Sequence, residues 1–200
     1  MSVFDKRAEG WDSGDIRVNG AKVIADAIEK KFDLKDDMVL VDFGVGTGLL
    51  GFEIAKKVKK VYGVDTSRGM LEKLEEKNTP ELHIEPIHQD IIEQPLDQKF
   101  DGLISSMTLH HVEDLEKFFT TIKNNLNVGG FLAIADLESE DGTFHSDNTD
   151  VYHFGFDEKT LRNVVEKCGF ENIVFENINT IEKPHRNFEI FLLTANLKSA

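Results

Sequence analysis

The chain has 200 residues, of which 40% are hydrophobic, and its formal net charge is −14 at pH 7. That length suffices for one well-packed α/β domain and falls short of two, so we expect residues 1–200 to form a single domain. The negative charge disfavours nucleic-acid and anionic-membrane partners, which would repel the chain, and no apolar stretch approaches the ~20 residues that cross a bilayer.

The first 18 residues are polar and irregular, with Phe4 and Trp11 as isolated aromatic residues. They form either a loose tail or a flap that closes over a ligand, and the sequence leaves both options open. The N-terminus lacks the basic start and apolar core of a signal peptide, and a single cysteine, Cys168, excludes an internal disulfide. We therefore expect a reducing, cytoplasmic location.

Helix and strand patterns alternate along the rest of the chain. Apolar residues at helical spacing predict helices at 19–32, 49–58, 67–76, 115–126 and 157–167. Apolar runs predict strands at 39–43, 61–64, 82–87, 100–105, 131–135, 173–176 and 188–193. Ser67 and Asp157 are expected to cap their helices, and Gly129 with Gly130 to end the fourth helix. Since no helix separates the last two strands, they are expected to pair in antiparallel fashion.

These patterns predict an α/β fold. It is a single-domain Rossmann-like sheet of seven mostly parallel strands, with helices on both faces and an antiparallel last strand. In such sheets, ligands bind at the carboxyl ends of the strands. The functional residues are therefore expected in the loops that follow the strands.

The run 39–51 joins an apolar strand, a glycine-rich turn and a helix. Gly44, Gly46 and Gly48 let the backbone turn where a Cβ would clash, and they let a ligand approach the main chain. The next predicted strand ends in Asp65, roughly 20 residues further on, where such folds bind ribose hydroxyls. Together these two elements predict a nucleotide-cofactor site.

Polar residues mark other predicted strands as well. Asp42 lies in the first strand, and the segments 88–91 and 105–111 are at the ends of the third and fourth. This ordered set resembles the class I S-adenosylmethionine-dependent methyltransferases, and within them the small-molecule, ubiquinone-biosynthesis-like branch. The resemblance covers the chain from about Asn19 to the end.

The resemblance implies S-adenosylmethionine as the cofactor. The residues that would bind it are Asp42, Gly44, Val45, Gly46, Gly48, Asp65, Thr66, Met70, Asp90, Ile91 and Ser105. The turn 42–48 would cradle the methionine part of the cofactor, and Asp65 would hold the ribose hydroxyls. Asp90 would accept a hydrogen bond from the adenine amino group, and the backbone amide of Ile91 would reach the adenine ring.

The remaining assignments concern the adenine face and the substrate class. Thr66 or Met70 would lie against a face of the base. Ser105 and Ser106 stand where enzymes that methylate amide or adenine nitrogens carry Asn-Pro-Pro-Tyr, so the resemblance disfavours that substrate class.

The charges agree with the cofactor, because S-adenosylmethionine is a cation and the site would hold Asp42, Asp65 and Asp90. Two alternatives stay open. Gly51 completes the glycine pattern of a dinucleotide-dependent oxidoreductase, although no set of hydride-transfer partners is evident. A non-catalytic cofactor-binding or interaction module would keep the fold without the chemistry. Taken singly, Asp65 could merely end a strand and Asp90 could merely cap a turn.

His110 and His111 are the candidate catalytic residues, because histidine is the commonest general base near neutral pH and the family places this segment beside the reacting methyl. One of them could instead pack under the loop or cap the next helix. The insert 137–156 could form the acceptor pocket through its aromatic residues, His145 and His153, or be a plain surface loop. No metal site is expected, since neither residue types nor spacing match one. The expected partner is a small-molecule acceptor. The sequence leaves open its identity, its target atom and the oligomeric state of the protein.

Overall fold

The central sheet of the computed structural model, which describes residues 3–198, has seven strands in the order β3-β2-β1-β4-β5-β7-β6. The strands are β1 Val39–Phe43, β2 Lys60–Asp65, β3 Ile84–His88, β4 Phe100–Ser106, β5 Leu126–Leu137, β6 Phe170–Lys183 and β7 Arg186–Leu197. Strands β1 to β5 are parallel, and β7 is antiparallel to both of its neighbours. This confirms the predicted Rossmann-like sheet with an antiparallel last strand.

Helices precede or connect the strands. They are α1 Val3–Arg7, a 3-10 helix Ala8–Ser13, α2 Asp15–Lys31, α3 Leu49–Ala55, α4 Arg68–Glu75, a 3-10 helix Leu109–His111, α5 Leu115–Asn125 and α6 Glu158–Lys167. The predicted caps are confirmed, because Ser67 accepts from the amide of Met70 and Asp157 from that of Thr160. Within residues 3–198, no helix has the length and apolar character that crossing a membrane requires.

Two apolar cores lie on opposite faces of the sheet. One contains Ile28 of α2 and the other contains Phe118 of α5, and each face is covered by helices. Leu40 and Val41, which are adjacent on β1, belong to different cores because successive side chains of a strand point to opposite faces. β1 is therefore buried on both faces, as its continuous apolar run predicted.

The predicted role of Gly129 and Gly130 as the end of a helix is wrong. α5 ends at Asn125, and both glycines lie inside β5, which starts at Leu126. The pairing of β5 with β4 shifts register along this stretch, and Gly129 has a φ of +79°. The glycines therefore accommodate an irregularity at the start of a strand.

Strands β6 and β7 are longer than predicted. They form a hairpin of Phe170–Lys183 and Arg186–Leu197, whereas the sequence indicated strands only at 173–176 and 188–193. β6 is the outer strand, and its side chains are mostly exposed or half-buried. A polar edge strand lacks the apolar pattern by which the sequence identifies strands.

Candidate functional site

The glycine turn after β1 is held by backbone hydrogen bonds to β2. Gly44, Gly46 and Gly48 have φ values of +67°, +54° and +87°, which L side chains rarely adopt. The amides of Gly44 and Val45 donate to the carbonyl of Val64 at 2.9 and 3.0 Å. The turn therefore depends on glycine for its shape and on β2 for its position.

Asp65 closes this turn from the end of β2. Its Oδ2 accepts from the amide of Gly46 at 2.8 Å, and its Oδ1 accepts from the amide of Ser67 at 2.8 Å. Burial raises the pKa of this carboxyl, although these amide hydrogen bonds oppose the rise. Each carboxylate oxygen keeps a second lone pair, so a ligand hydroxyl can still donate to Asp65.

Asp42 lies beneath the same turn with an unsatisfied oxygen. The residue is 1% exposed, and among the described residues its Oδ2 is the one buried side-chain oxygen or nitrogen without a hydrogen-bond partner. Burial, and secondly the charge of Asp65, raise its pKa well above the usual range. A Cβ on Gly51 would come within 2.9 Å of Oδ2, so a small residue faces this carboxyl. The backbone amide of Gly51 opposes the rise of the Asp42 pKa, so this carboxyl lies against the start of α3.

Asp90 follows β3 and is exposed. Its Oδ1 accepts from the amides of Ile92 at 2.9 Å and Glu93 at 3.3 Å. The residue therefore caps the turn after β3, which is the alternative to the adenine contact that the resemblance implies. The predicted neighbour Ile91 is buried at this turn.

The other predicted cofactor residues have their own partners. Ser105 is buried and donates to the carbonyl of Phe43 at 2.7 Å, so its hydroxyl joins β4 to β1. Met70 is 1% exposed in α4. Thr66 is exposed, and its carbonyl accepts from Nε2 of His88 at 3.0 Å. Ser105 and Met70 therefore have clear structural roles.

The N-terminal segment Val3–Ser13 packs against the glycine turn and the start of α4. Asp12 accepts from Oγ1 of Thr47 at 2.6 Å and from Nζ of Lys77 at 2.7 Å. Asp5 accepts from Oγ of Ser67 at 2.7 Å. These contacts span more than 30 positions of sequence, and they place the segment over the predicted cofactor site.

His110 is buried and held on two sides. Its Nδ1 lies 2.7 Å from Oδ1 of Asp136, its backbone amide donates to Oδ2 at 3.1 Å, and its Nε2 lies 3.1 Å from Nε2 of His145. Asp136 is the penultimate residue of β5 and was not predicted as a site residue. The signal was present, because Asp136 follows an apolar strand just as Asp65 does.

His111 is half-buried and its tautomer is fixed. Its Nδ1 lies 2.6 Å from the carbonyl of Asp150, and a carbonyl can only accept, so Nδ1 carries the proton. Burial, and secondly the neighbouring His110, lower the pKa of His111. Its Nε2 is therefore an acceptor near neutral pH. The ring packs edge-on against Phe4, with centroids 5.2 Å apart.

The insert 137–156 buries some of its aromatic rings and exposes another. Phe144 packs against Phe188, and Phe156 is buried, so these rings anchor the insert. Tyr152 is 51% exposed and lines, with His111, an open groove of about 830 Å³ beside Asp90. Among residues 3–198, no three His, Cys, Asp or Glu side chains are grouped as a metal site.

One family model matches the part of the chain that contains the glycine turn. Residues 41–134 match the family model described as a methyltransferase domain. An uncharacterized methyltransferase of Schizosaccharomyces pombe is 27% identical over 172 residues, which is 76% of this chain and 58% of that protein. The chain spans 58% to 66% of the length of the first five curated relatives.

Solved structures share the fold. An S-adenosylmethionine-dependent methyltransferase from Clostridium acetobutylicum superimposes with a TM-score of 0.74 at 19% identity, over 99% of this chain and 100% of that one. Phosphoethanolamine N-methyltransferase 2 of Haemonchus contortus, in complex with S-adenosyl-L-methionine, gives 0.72 at 18% identity over 100% of this chain and 61% of that one. Residues 41–134 thus match a methyltransferase domain model, and the chain shares the fold of these solved methyltransferase structures.

Proposed function

We propose that this chain binds S-adenosylmethionine and transfers its methyl group to a small-molecule acceptor. The observation that carries the proposal is the pair of carboxyls, Asp42 and Asp65, that lies at the glycine turn. The cofactor is a cation, so it fits a site where Asp42 and Asp65 lie close enough for one carboxyl to raise the pKa of the other. The methyltransferase domain matches these same residues. That match favours methyl transfer over hydride transfer from a dinucleotide.

The proposed contacts follow the order of the strands. Asp42 and the turn 44–48 hold the methionine part, and the free lone pairs of Asp65 accept from the ribose hydroxyls. At the adenine end, Asp90 and the amide of Ile91 lie in the turn after β3. Thr66 is exposed and can line the site, whereas Met70 and Ser105 are each 1% exposed and support it from beneath. Bound in this site, S-adenosylmethionine supplies an activated methyl group.

The N-terminal segment acts as a flap in this proposal. Methyl transfer is an in-line displacement that gains from alignment and from exclusion of water. The segment Val3–Ser13 lies over the turn through Asp5 and Asp12, and Trp11 Nε1 is 4.0 Å from the position of a Cβ on Gly46. It would therefore shield the sulfonium end of the site from solvent.

The acceptor is proposed to bind beside the half-buried histidines of the insert and the loop after β4. His111 can contact it and accept a hydrogen bond through Nε2, whereas His110 is 1% exposed and cannot. The net charge of −14 favours a neutral or cationic small molecule over a nucleic acid. We further propose that the protein is cytoplasmic and that it belongs to the ubiquinone-biosynthesis-like branch of these methyltransferases.

Calorimetric titration tests the cofactor. The purified chain should bind S-adenosylmethionine and S-adenosylhomocysteine, and NAD and NADP serve as controls. Binding of the nicotinamide compounds alone would point to an oxidoreductase. No binding of any of the four would leave a non-catalytic module as the better account.

A further inference from the structure

We propose that Asp136, His110 and His145 form a proton relay, in which His145 takes a proton from the acceptor and passes its own proton to His110. The three residues come from the end of β5, the 3-10 helix after β4 and the insert. The inference rests on the proposed methyl transfer, and it adds the route by which the acceptor loses its proton.

The direction of the relay follows from the hydrogen bonds. Asp136 accepts from the amide of Leu137 at 2.7 Å, from the amide of His110 at 3.1 Å, and from Nδ1 of His110 at 2.7 Å. A carboxylate can only accept, so Nδ1 of His110 carries a proton. Above its raised pKa, His110 is neutral and presents a lone pair on Nε2 to His145, at 3.1 Å. His145 must therefore carry its own proton on Nε2.

This tautomer leaves Nδ1 of His145 as the acceptor. Within residues 3–198, no hydrogen bond engages that atom, and the ring is half-buried on the insert. His110 is 1% exposed and Asp136 is fully buried. Of these three residues, only His145 is exposed enough to contact an acceptor, and the other two are positioning residues that act through it.

The proton count balances in one concerted shift. The bond between the acceptor atom and its hydrogen breaks, and a bond from Nδ1 of His145 to that hydrogen forms. The proton on Nε2 of His145 moves to Nε2 of His110, whose positive charge lies against the Asp136 carboxylate. The electron pair left on the acceptor atom is then available to bond to the methyl carbon.

The surrounding charges favour a positive charge on His110 over one on His145. Burial, His110 and His111 lower the pKa of His145 to about 4, so His145 alone is a weak base. Burial also works against a charged His110, but Asp136 outweighs it and raises the pKa of His110. Glu140 adds to that rise, and Lys183 repels a charge on His145.

The relay defines an acceptor class. An acceptor with a free lone pair needs no base, whereas a hydroxyl, a thiol, a protonated amine or an aromatic carbon must lose a proton on methylation. A relay from His145 through His110 to Asp136 serves acceptors of the second kind. The structure therefore points to an acceptor whose target atom carries a proton that it must lose.

Nitrogen NMR of the histidines in the full chain tests the relay without an acceptor. The neutral form should show protons on Nδ1 of His110 and on Nε2 of His145. Acidification should first add a proton at Nε2 of His110, and His145 should gain its second proton only near pH 4. A proton on Nδ1 of His145 in the neutral form, or protonation of His145 before His110, would overturn the proposal.

Variants add a second readout. In Asp136→Asn the titration midpoint of His110 should fall by about 1 pH unit or more, because the stabilising charge is lost. His153→Gln is the control, because His153 lies on the same insert but donates from Nε2 to the carbonyl of Val112 at 2.9 Å. If Asp136→Asn fails to fold, His145→Gln should still abolish the shared proton while leaving the Nδ1 proton of His110. The relay would be contradicted if the titration midpoint of His110 stayed the same in Asp136→Asn. It would also be contradicted if the signal of the proton between His110 and residue 145 stayed the same in His145→Gln.

Binding of S-adenosylhomocysteine separates this inference from the proposed function. Calorimetry should give the wild-type affinity in His145→Gln and His153→Gln, because neither residue lies in the cofactor site. If the wild type does not bind the compound, the proposed function fails, while the tautomers still decide the relay.

Discussion

The amide of Gly46 and the carboxylate of Asp65, which are 19 positions apart in sequence, are joined by a 2.8 Å hydrogen bond. This bond holds the middle of the glycine turn against the end of β2. The other carboxylate oxygen accepts from the amide of Ser67, which caps α4. Asp65 therefore orders two loops of the proposed cofactor site at once.

Asp65→Ala should weaken binding of S-adenosylmethionine by about 1–3 kcal/mol, because the ribose hydroxyls lose a charged acceptor and the turn loses an anchor. Isothermal titration calorimetry measures the change. Asp157→Asn is a matched control, since Asp157 also accepts from backbone amide but caps the distant helix α6. An unchanged affinity in Asp65→Ala would remove this residue from the site.

Binding of S-adenosylmethionine should release protons. Burial raises the pKa values of Asp42 and Asp65 in the free chain, and a bound cation lowers them. Affinity should therefore increase as pH rises from the ordinary value of 3.8 through the raised values. Calorimetry in buffers of different ionisation enthalpy measures the release, which Asp42→Asn should reduce. Proton uptake on binding would contradict this account.

The same two carboxyls affect stability with the opposite sign. Their pKa values are raised by folding, so the folded chain binds more protons than the unfolded chain in that interval. Their contribution to the free energy of unfolding is present below 3.8 and is lost as pH rises through the folded values. Denaturant titrations should show that the difference in the free energy of unfolding between wild type and Asp42→Asn becomes smaller at low pH.

Gly44→Ala should destabilise the chain more than Gly129→Ala. Both glycines have positive φ, which costs an alanine about 1–2 kcal/mol. A Cβ on Gly44 would also overlap the side chain of Thr108, whereas nothing lies within 4 Å of a Cβ on Gly129. Overpacking adds about 1–3 kcal/mol for Gly44→Ala, measurable by urea unfolding. Equal losses in the two variants would mean that Thr108 moves aside freely.

Asp12→Ala should speed the release of S-adenosylhomocysteine by about 2–10-fold, because the flap loses its hydrogen bonds to Thr47 and Lys77. Stopped-flow displacement measures the rate. Stability should change by less than about 1 kcal/mol, as for other exposed ion pairs. Glu53→Ala, which removes a surface ion pair with Lys56, is the control and should leave the rate unchanged. The same rate in wild type and Asp12→Ala would mean that the segment does not retain the ligand.

Local patterns predicted much of the fold. β1 was predicted with its observed bounds because a strand buried on both faces is continuously apolar, and Ser67 and Asp157 were recognisable as caps. The strand ends then placed the glycine turn and Asp65 at one edge of the sheet. These features depend on short stretches of sequence, which is why sequence alone revealed them.

Long-range contacts could not be predicted. Asp12 meets Thr47 across 35 positions, and His110 meets His145 across 35 positions, with no periodicity linking them. The choice between tail and flap for the first residues depends on such contacts. Asp136 had a local signal, but its partner His110 became evident only when β4 and β5 were placed side by side.

The most direct test of the cofactor site is to follow the backbone amide resonances of the isotope-labelled chain as S-adenosylhomocysteine is added. The account predicts that Gly44, Gly46 and Ile91 shift in a saturable manner, together with residues of the segment Val3–Ser13. Unshifted resonances in the glycine turn, or shifts confined to the hairpin of β6 and β7, would contradict it.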